Sequence, residues 1–205
     1  MKQILFATSN PHKKERFQAY FKPLGLKVLS LANLKVSLKI EEDGKTPEEN
    51  ATKKALAYYK ATNKPTFAVD YGLYIDRFPK DKQPGLFVRR IYGDDREVSD
   101  EEMLAYYIRE LEKVGGRSEG KWISAISLVA GGKVYSESFS SRTILTSKRS
   151  LSVLTPGEPL NSLQIDPKTG KYFTDLTMDE WIELQLQREK GYIKFMKKNF
   201  KKIEG

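Results

Sequence analysis

The sequence predicts an α/β fold, and three observations carry that prediction. The chain opens as strand, loop, helix, strand. Apolar runs of strand length then alternate with helices whose starts are marked by capping residues. A glycine pair later joins two β-rich runs. No repeat, low-complexity linker or sharp compositional boundary interrupts the 205 residues, so residues 1–205 read as a single domain.

Taken in order, Gln3–Thr8 reads as a short buried strand. Asn10 followed by Pro11 has the pattern of an N-cap with proline at the first helical position. Phe17, Tyr20 and Phe21 share one face of the helix that follows, Gly25 ends it, and Lys27–Leu31 forms a second strand. The next helix starts at a capping box, with Thr46 as N-cap, Pro47 at the first position and Glu49 at the third. Its Ala51, Ala55 and Tyr58 make a narrow face suited to close packing on a sheet. Phe67–Asp70 is a strand. Ser99 and Glu102 form another capping box, opening a helix to Val114. Two β-rich runs meet at Gly131-Gly132 as a hairpin, and Thr177 with Glu180 opens the last, long helix. Residues 152–173 are turn-rich, with Pro156, Gly157, Pro159, Pro167 and Gly170. Loops this long are often functional; a plain surface excursion is the alternative.

Composition narrows the chemistry. Hydrophobic residues make up 39% and charged residues 31%, a folded, globular balance. No run of about 18 apolar residues is present, so no membrane span is expected. The opening apolar run is too short for a signal-peptide core. Cysteine is absent, which removes disulfides and thiolate nucleophiles and fits a cytoplasmic protein. With one histidine, His12, a multi-histidine zinc site is impossible, and no G-x-S-x-G elbow is present. Chemistry here belongs to carboxylates, lysines and a hard metal. The net charge of +9 favours anionic partners. The tail, residues 190–205, holds six lysines and one glutamate. It reads as a solvated helix face rather than a nucleic-acid patch, because no recognition-module pattern accompanies it.

Three places could carry the reaction. In Thr8–Lys14 ("TSNPHKK"), the free N–H groups of a helix start, side-chain donors on Thr8, Ser9 and Asn10, and the cation of Lys13 could cradle a phosphate; an ordinary helix cap is the alternative. In Glu41-Glu42-Asp43, acids precede a glycine turn and could serve a hard cation such as Mg²⁺, or be merely solvated. Asp70 ends a presumed strand, and in open α/β sheets ligands gather beyond such ends. Strands 1 and 3 would bring the Thr8 loop and Asp70 to the same edge.

Four blocks in this order, "FATSNPHK", "EEDGKTPEENATKKA", "AVDYGLYID" and "PGLFVRRIYG", resemble the motifs T-G-N-x-x-K, E-E-x-G-x-T-x-x-E-N-A-x-x-K-A, A-D-D-S-G-L-x-V-D and P-G-x-Y-S-A-R-Y-x-G of the inosine triphosphate pyrophosphatase family. The resemblance spans residues 3–93. It implies an elongated mixed sheet flanked by helices, in two lobes with a central cleft. It also implies Mg²⁺-dependent hydrolysis of a nucleoside triphosphate to monophosphate and pyrophosphate, a preference for non-standard purines, and a homodimer. Carried over by position, Thr8, Ser9, Asn10 and Lys13 would hold the triphosphate. His12, Lys54, Arg90, Asn161 and Arg188 would be further substrate contacts. Glu41, with Glu42 beside it, and Asp70 would hold the metal, and Asp70 would also serve as base for the attacking water. Tyr71 falls where the family has a substrate-contacting serine.

The chain also departs from that pattern. Ser9 replaces the glycine of T-G-N, and Val69 replaces the first acid of D-D-S-G. The base-binding F-G-Y-D aligns with Glu158-Pro159-Leu160-Asn161. The family's lysine near the final helix aligns with Trp181, and its S-H-R triplet falls near Gln185-Leu186-Gln187. The phosphate-and-metal half is kept and the base-reading half is rewritten, which implies altered base selectivity. The alternative is a non-catalytic relative that binds nucleotide or a partner protein.

Overall fold

The computed structural model describes residues 1–93, 96–154 and 156–203, apart from the side chains of His12, Leu186, Arg188 and Glu189. Six strands form one mixed sheet: β1 (Lys2–Phe6), β2 (Leu26–Leu29), β3 (Thr66–Ile75), β4 (Arg117–Ala130), β5 (Lys133–Thr146) and β6 (Gln164–Ile165). Their order is β2-β1-β3-β4-β5-β6. β1 runs parallel to both β2 and β3, and β5 antiparallel to β6. The helices are α1 (Pro11–Phe21), a short α2 (Leu31–Leu34), α3 (Pro47–Thr62), α4 (Asp100–Lys113) and α5 (Met178–Asn199). None of them, among the described residues, is long and apolar enough to cross a membrane.

The helix starts follow the local capping chemistry. Asn10 accepts from the Lys13 N–H with Pro11 in the first turn, and Ser99 and Glu102 close a reciprocal box. Thr177 and Glu180 do the same at α5. At α3, Thr46 caps Glu49, but the Glu49 carboxylate accepts from the Lys45 N–H, one residue before the expected one. α1 does not end directly at Gly25. A 3-10 turn, Lys22–Leu24, intervenes, and Gly25 then takes a φ of 76°, a conformation open to glycine without strain. The Gly131-Gly132 turn has positive φ at both residues, as a tight hairpin turn requires.

β3 departs most from expectation. It does not stop at Asp70 but continues to Ile75, leaving the acid inside the strand. A carboxylate can sit there because its charge is answered by a helix lysine, as described below.

The chain divides into two compact units, residues 1–71, 124–139 and 189–205 in the first, and 72–123 and 140–188 in the second. In the first, one core gathers Phe6, Phe17, Phe21, Phe67, Val69 and Tyr192. Phe6 stacks on Phe67 at 4.3 Å between ring centres, and Phe17 meets Phe6 at 4.9 Å. Gly191 in α5 lets the helix approach closely: a Cβ there would stand 2.5 Å from the Phe139 ring. A second core sets Ala51, Ala55 and Tyr58 of α3 against Leu5, Ala7, Ala68 and Val129, so the alanine face packs as its small side chains allow.

In the second unit, Leu73, Ile75, Met103, Leu104, Tyr107, Leu111 and Leu163 form the core. The turn-rich segment is ordered through specific polar links. Arg89 donates to Asp100 Oδ1 (2.7 Å) and to the Gly157 carbonyl (3.1 Å), and the Gly157 N–H returns to Asp100 Oδ2 (2.8 Å).

Candidate functional site

The site is built on two successive residues of β3. Side chains alternate across a strand, so Asp70 and Tyr71 face opposite layers. Val69 and Tyr71 pack with the α1 core, while Ala68 packs with α3. Each layer then supplies a lysine. From α3, Lys54 Nζ reaches Asp70 Oδ1 at 2.9 Å and Glu42 Oε1 at 3.0 Å. From α1, Lys13 Nζ lies over the Tyr71 ring, 5.0 Å from its centre.

The first loop arrives by strand pairing. β1 and β3 run in parallel register Leu5↔Thr66 and Phe6↔Phe67, and the Ala7 N–H donates to the Phe67 carbonyl at 2.9 Å. The chain leaving β1 therefore starts its loop beside the residues that lead to Asp70. Thr8 Oγ1 accepts from the Asn10 N–H (3.3 Å), and Asn10 Oδ1 from the Lys13 N–H (3.1 Å). Ser9 and Asn10 are exposed and Thr8 is half-buried.

The acidic loop is tethered. Asn50 in α3 is buried, and its Oδ1 accepts from the Gly44 N–H at 2.8 Å. A Cβ on Gly44 would stand 2.4 Å from that oxygen, so glycine is required for the contact. With Gly44 held, Asp43 pairs with Lys53 and Glu42 with Lys54. Successive acids thus meet successive helix residues, and Glu41 stays exposed. The sequence points to Glu41 with Glu42 beside it; of the two, Glu42 shares the Lys54 ammonium with Asp70.

Charge is concentrated in this corner. Burial pulls the Lys13 ammonium below its ordinary range, and repulsion from Lys54 and Arg16 adds to this; Asp70 and Glu42 only partly offset it. Burial also opposes the charge on Lys54, but Asp70 and Glu42 outweigh it, and its pKa is raised. Lys13 thus feels two other cations and two carboxylates, and it holds its charge at an electrostatic cost.

The donor set of Glu42 and Asp70 consists of carboxylate oxygens, which suit a hard divalent cation. The two oxygens share one ammonium, so their separation is no more than the sum of its two contacts. Among the described residues, no group of three or more His, Cys, Asp or Glu side chains is placed to hold a metal ion. A Mg²⁺ ion on this pair would take its remaining ligands from phosphate oxygens and water, as Mg²⁺ commonly does. The residues fit the ion on those terms.

Of the remaining expected contacts, Arg90 and Asn161 lie in the second unit. The Arg90 guanidinium stands over the Phe87 ring at 5.4 Å, and the buried Asn161 donates to Glu158 Oε2 at 3.0 Å. The side chains of His12 and Arg188 lie outside the described residues. Two contributors escape the sequence reading. Asn50 has its signal inside the second motif, six residues after the glycine it holds. Arg16 has its signal in the helical spacing of three from Lys13.

A family model described as the Ham1 family matches residues 4–150. A dITP/XTP pyrophosphatase of Bacillus subtilis is 38% identical over 114 residues, 56% of this chain and 56% of that protein. The chain thus spans little more than half the length of this relative. A dITP/XTP pyrophosphatase of a Thermoanaerobacter species is 28% identical over 183 residues, 87% of each chain. Two solved structures share the fold. The Staphylococcus aureus Ham1 protein has a TM-score of 0.76 at 22% identity, over 96% of this chain and 98% of that one. A HAM1 protein from Coxiella burnetii has a TM-score of 0.77 at 22% identity, over 94% of each.

Proposed function

Because the chain belongs to the Ham1 family, with residues 4–150 matched, we propose that it is a nucleoside triphosphate pyrophosphatase acting on non-standard purine nucleotides. The observation that carries the reading is the pair of lysines, Lys13 and Lys54, converging with Asp70 and Glu42 on one stretch of β3. Such an array suits a polyphosphate and a hard cation together. Relatives named dITP/XTP pyrophosphatase support the substrate class.

In this reading Lys13 and the N–H groups at the start of α1 bind phosphate oxygens, and the anion relieves the repulsion that Lys13 suffers from Lys54 and Arg16. Glu42 and Asp70 hold Mg²⁺. When bound, the ion offsets substrate charge and makes a bound water more acidic. Asp70 accepts the proton of the attacking water. The water oxygen bonds to the α-phosphorus. The bond from that phosphorus to the bridging oxygen breaks, and its electron pair leaves with pyrophosphate. The rewritten residues at Glu158–Asn161 and Gln185–Gln187 underlie an altered base choice. A homodimer and a cytoplasmic setting belong to the same reading.

The test is pyrophosphate release from a panel of standard and deaminated purine triphosphates with Mg²⁺. Turnover of at least one is expected, with a loss of about 10²–10⁴-fold in Asp70→Asn. No turnover of any triphosphate would end the enzymatic reading. An Asp70→Asn variant within about tenfold of wild type, under ~1.4 kcal/mol of barrier, would remove Asp70 from the proton transfer. Val69 favours the binding-only alternative, since it replaces an acid of the family motif. Calorimetric binding without turnover is its signature.

A further inference from the structure

We propose that Lys54 is an internal counter-cation, one that closes the acid pair to a free divalent cation and opens it when a polyphosphate arrives. The inference rests on the triphosphate reading of this site and adds an order of events to it.

The geometry carries the argument. One ammonium answers both acids, with contacts of 2.9 and 3.0 Å, and its side chain is only 14% exposed. An ion ligated by both oxygens needs the space that the ammonium fills, since Mg²⁺ holds its ligands at about 2.0–2.1 Å. The ammonium and the metal are therefore alternatives at this spot. Neither acid is free to drift off with Lys54. Asp70 is fixed inside β3, and the Glu42 loop is anchored to the same helix through Asn50 and Gly44.

Two consequences follow. In the absence of polyphosphate, a divalent cation must displace a charge that already satisfies both carboxylates, so its affinity is low. When polyphosphate binds, its oxygens offer the flexible Lys54 side chain a second set of anions. The ammonium turns to them, and the two carboxylates lose the cation they share. Metal and polyphosphate then bind with positive coupling, and the coupling is reciprocal. The arrangement differs from a static structural ion pair, which would predict no link between Lys54 and metal affinity.

The experiment measures Mn²⁺ binding to the full chain by calorimetry and by the paramagnetic resonance of free Mn²⁺, with no nucleotide present. Lys54→Met should bind Mn²⁺ at least about tenfold more tightly than wild type, because a positive charge has left the pair. The double variant Lys54→Met with Glu42→Gln should lose that gain. Lys54→Gln keeps a donor for the carboxylates and should show a gain of the same sign, which guards against a fold lost with methionine. Equal Mn²⁺ affinity in wild type and in both Lys54 variants overturns the proposal, as does a gain that survives Glu42→Gln. Pyrophosphate release is scored separately. A tighter Mn²⁺ site in a protein that hydrolyses no triphosphate would leave the counter-cation standing and end the enzymatic reading. Turnover with unmoved Mn²⁺ affinity would do the reverse.

Discussion

Replacing Lys13 by methionine should stabilise the ligand-free protein while crippling its site. Lys13 carries its charge in a half-buried position beside Lys54 and Arg16, and these two plus burial hold its pKa below 10.5. That direction means the fold disfavours the ammonium relative to the unfolded chain. Its favourable contact with the Tyr71 ring, 5.0 Å away, recovers some of the loss; contacts of this kind contribute about 0.5–2 kcal/mol. Methionine keeps an apolar stem over the ring, and a sulfur–aromatic contact is worth about 0.3–1.5 kcal/mol. The ring contact is thus roughly replaced, and the repulsion is removed. Removing one unfavourable charge typically gains about 0.5–2 kcal/mol. For a chain of this size the melting temperature moves by about 2–4 °C per kcal/mol.

The pH dependence gives the sign check. Lys13 loses its proton at a lower pH in the folded chain than the 10.5 of the unfolded one. Between the two values the unfolded chain binds more protons, so wild-type stability rises with pH across that window and is fully recovered above 10.5. Below the depressed value the whole cost is present. The advantage of Lys13→Met should therefore be largest near neutrality and vanish above 10.5. Thermal unfolding by circular dichroism, at neutral and alkaline pH, measures it. Inorganic tripolyphosphate should raise the melting temperature of wild type and much less that of the variant. A variant less stable than wild type at neutral pH without ligand, or an advantage indifferent to pH, would refute the reasoning.

Gly44→Ala forces a Cβ to within 2.4 Å of Asn50 Oδ1. Urea unfolding should show a loss of about 1–3 kcal/mol as the buried amide loses its partner, and an unchanged midpoint would mean the acidic loop is not pinned there. At Tyr71, phenylalanine keeps the ring under Lys13, so the triphosphate KM should stay within about twofold. Serine removes the ring and should raise KM by up to about tenfold with kcat held; the two variants behaving alike would dismiss the ring as a positioning surface. Gly191→Ala drives a methyl into the Phe139 ring and should cost about 1–3 kcal/mol in thermal unfolding. Metal binding at Glu42 and Asp70 should not move with it.

Local chemistry was legible in the sequence, and pairing across the chain was not. Asn10 with Pro11, Thr46 with Pro47, and Ser99 with Glu102 mark helix starts because a cap is settled by residues within one turn. The glycine pair at 131–132 marks a hairpin for the same reason. The full extent of β3 is hidden in the sequence, because a charge at Asp70 looks like a strand end until Lys54, 16 residues earlier, is known to lie against it. Strand order alone puts the Thr8 loop and Asp70 at one sheet edge; the parallel register of β1 and β3 does bring the chain leaving β1 beside Phe67, but Asp70 lies inside β3 rather than at its end. Which of Glu41 and Glu42 turns inward was beyond the sequence, since the answer lies in the hold of Asn50 on Gly44.

The alternation of β3 also explains how the chain can depart from the family motif at position 69 and keep its acid at 70. Val69 is 5% exposed and packs with Phe6, Phe17 and Phe67. A carboxylate in that core would be buried among aromatic rings, away from the Lys54 layer, at a cost of several kcal/mol unless a cation followed it. Valine places an apolar side chain where the packing is apolar. Asp70 looks the other way and keeps its lysine. Tyr71, on the Val69 face, meets Lys13 instead. The departures at 69 and 71 thus fall on one face of the strand and the retained acid on the other. A change confined to one face leaves the Lys54–Asp70–Glu42 cluster intact, with Lys13 on the other face still close enough to feel all three charges.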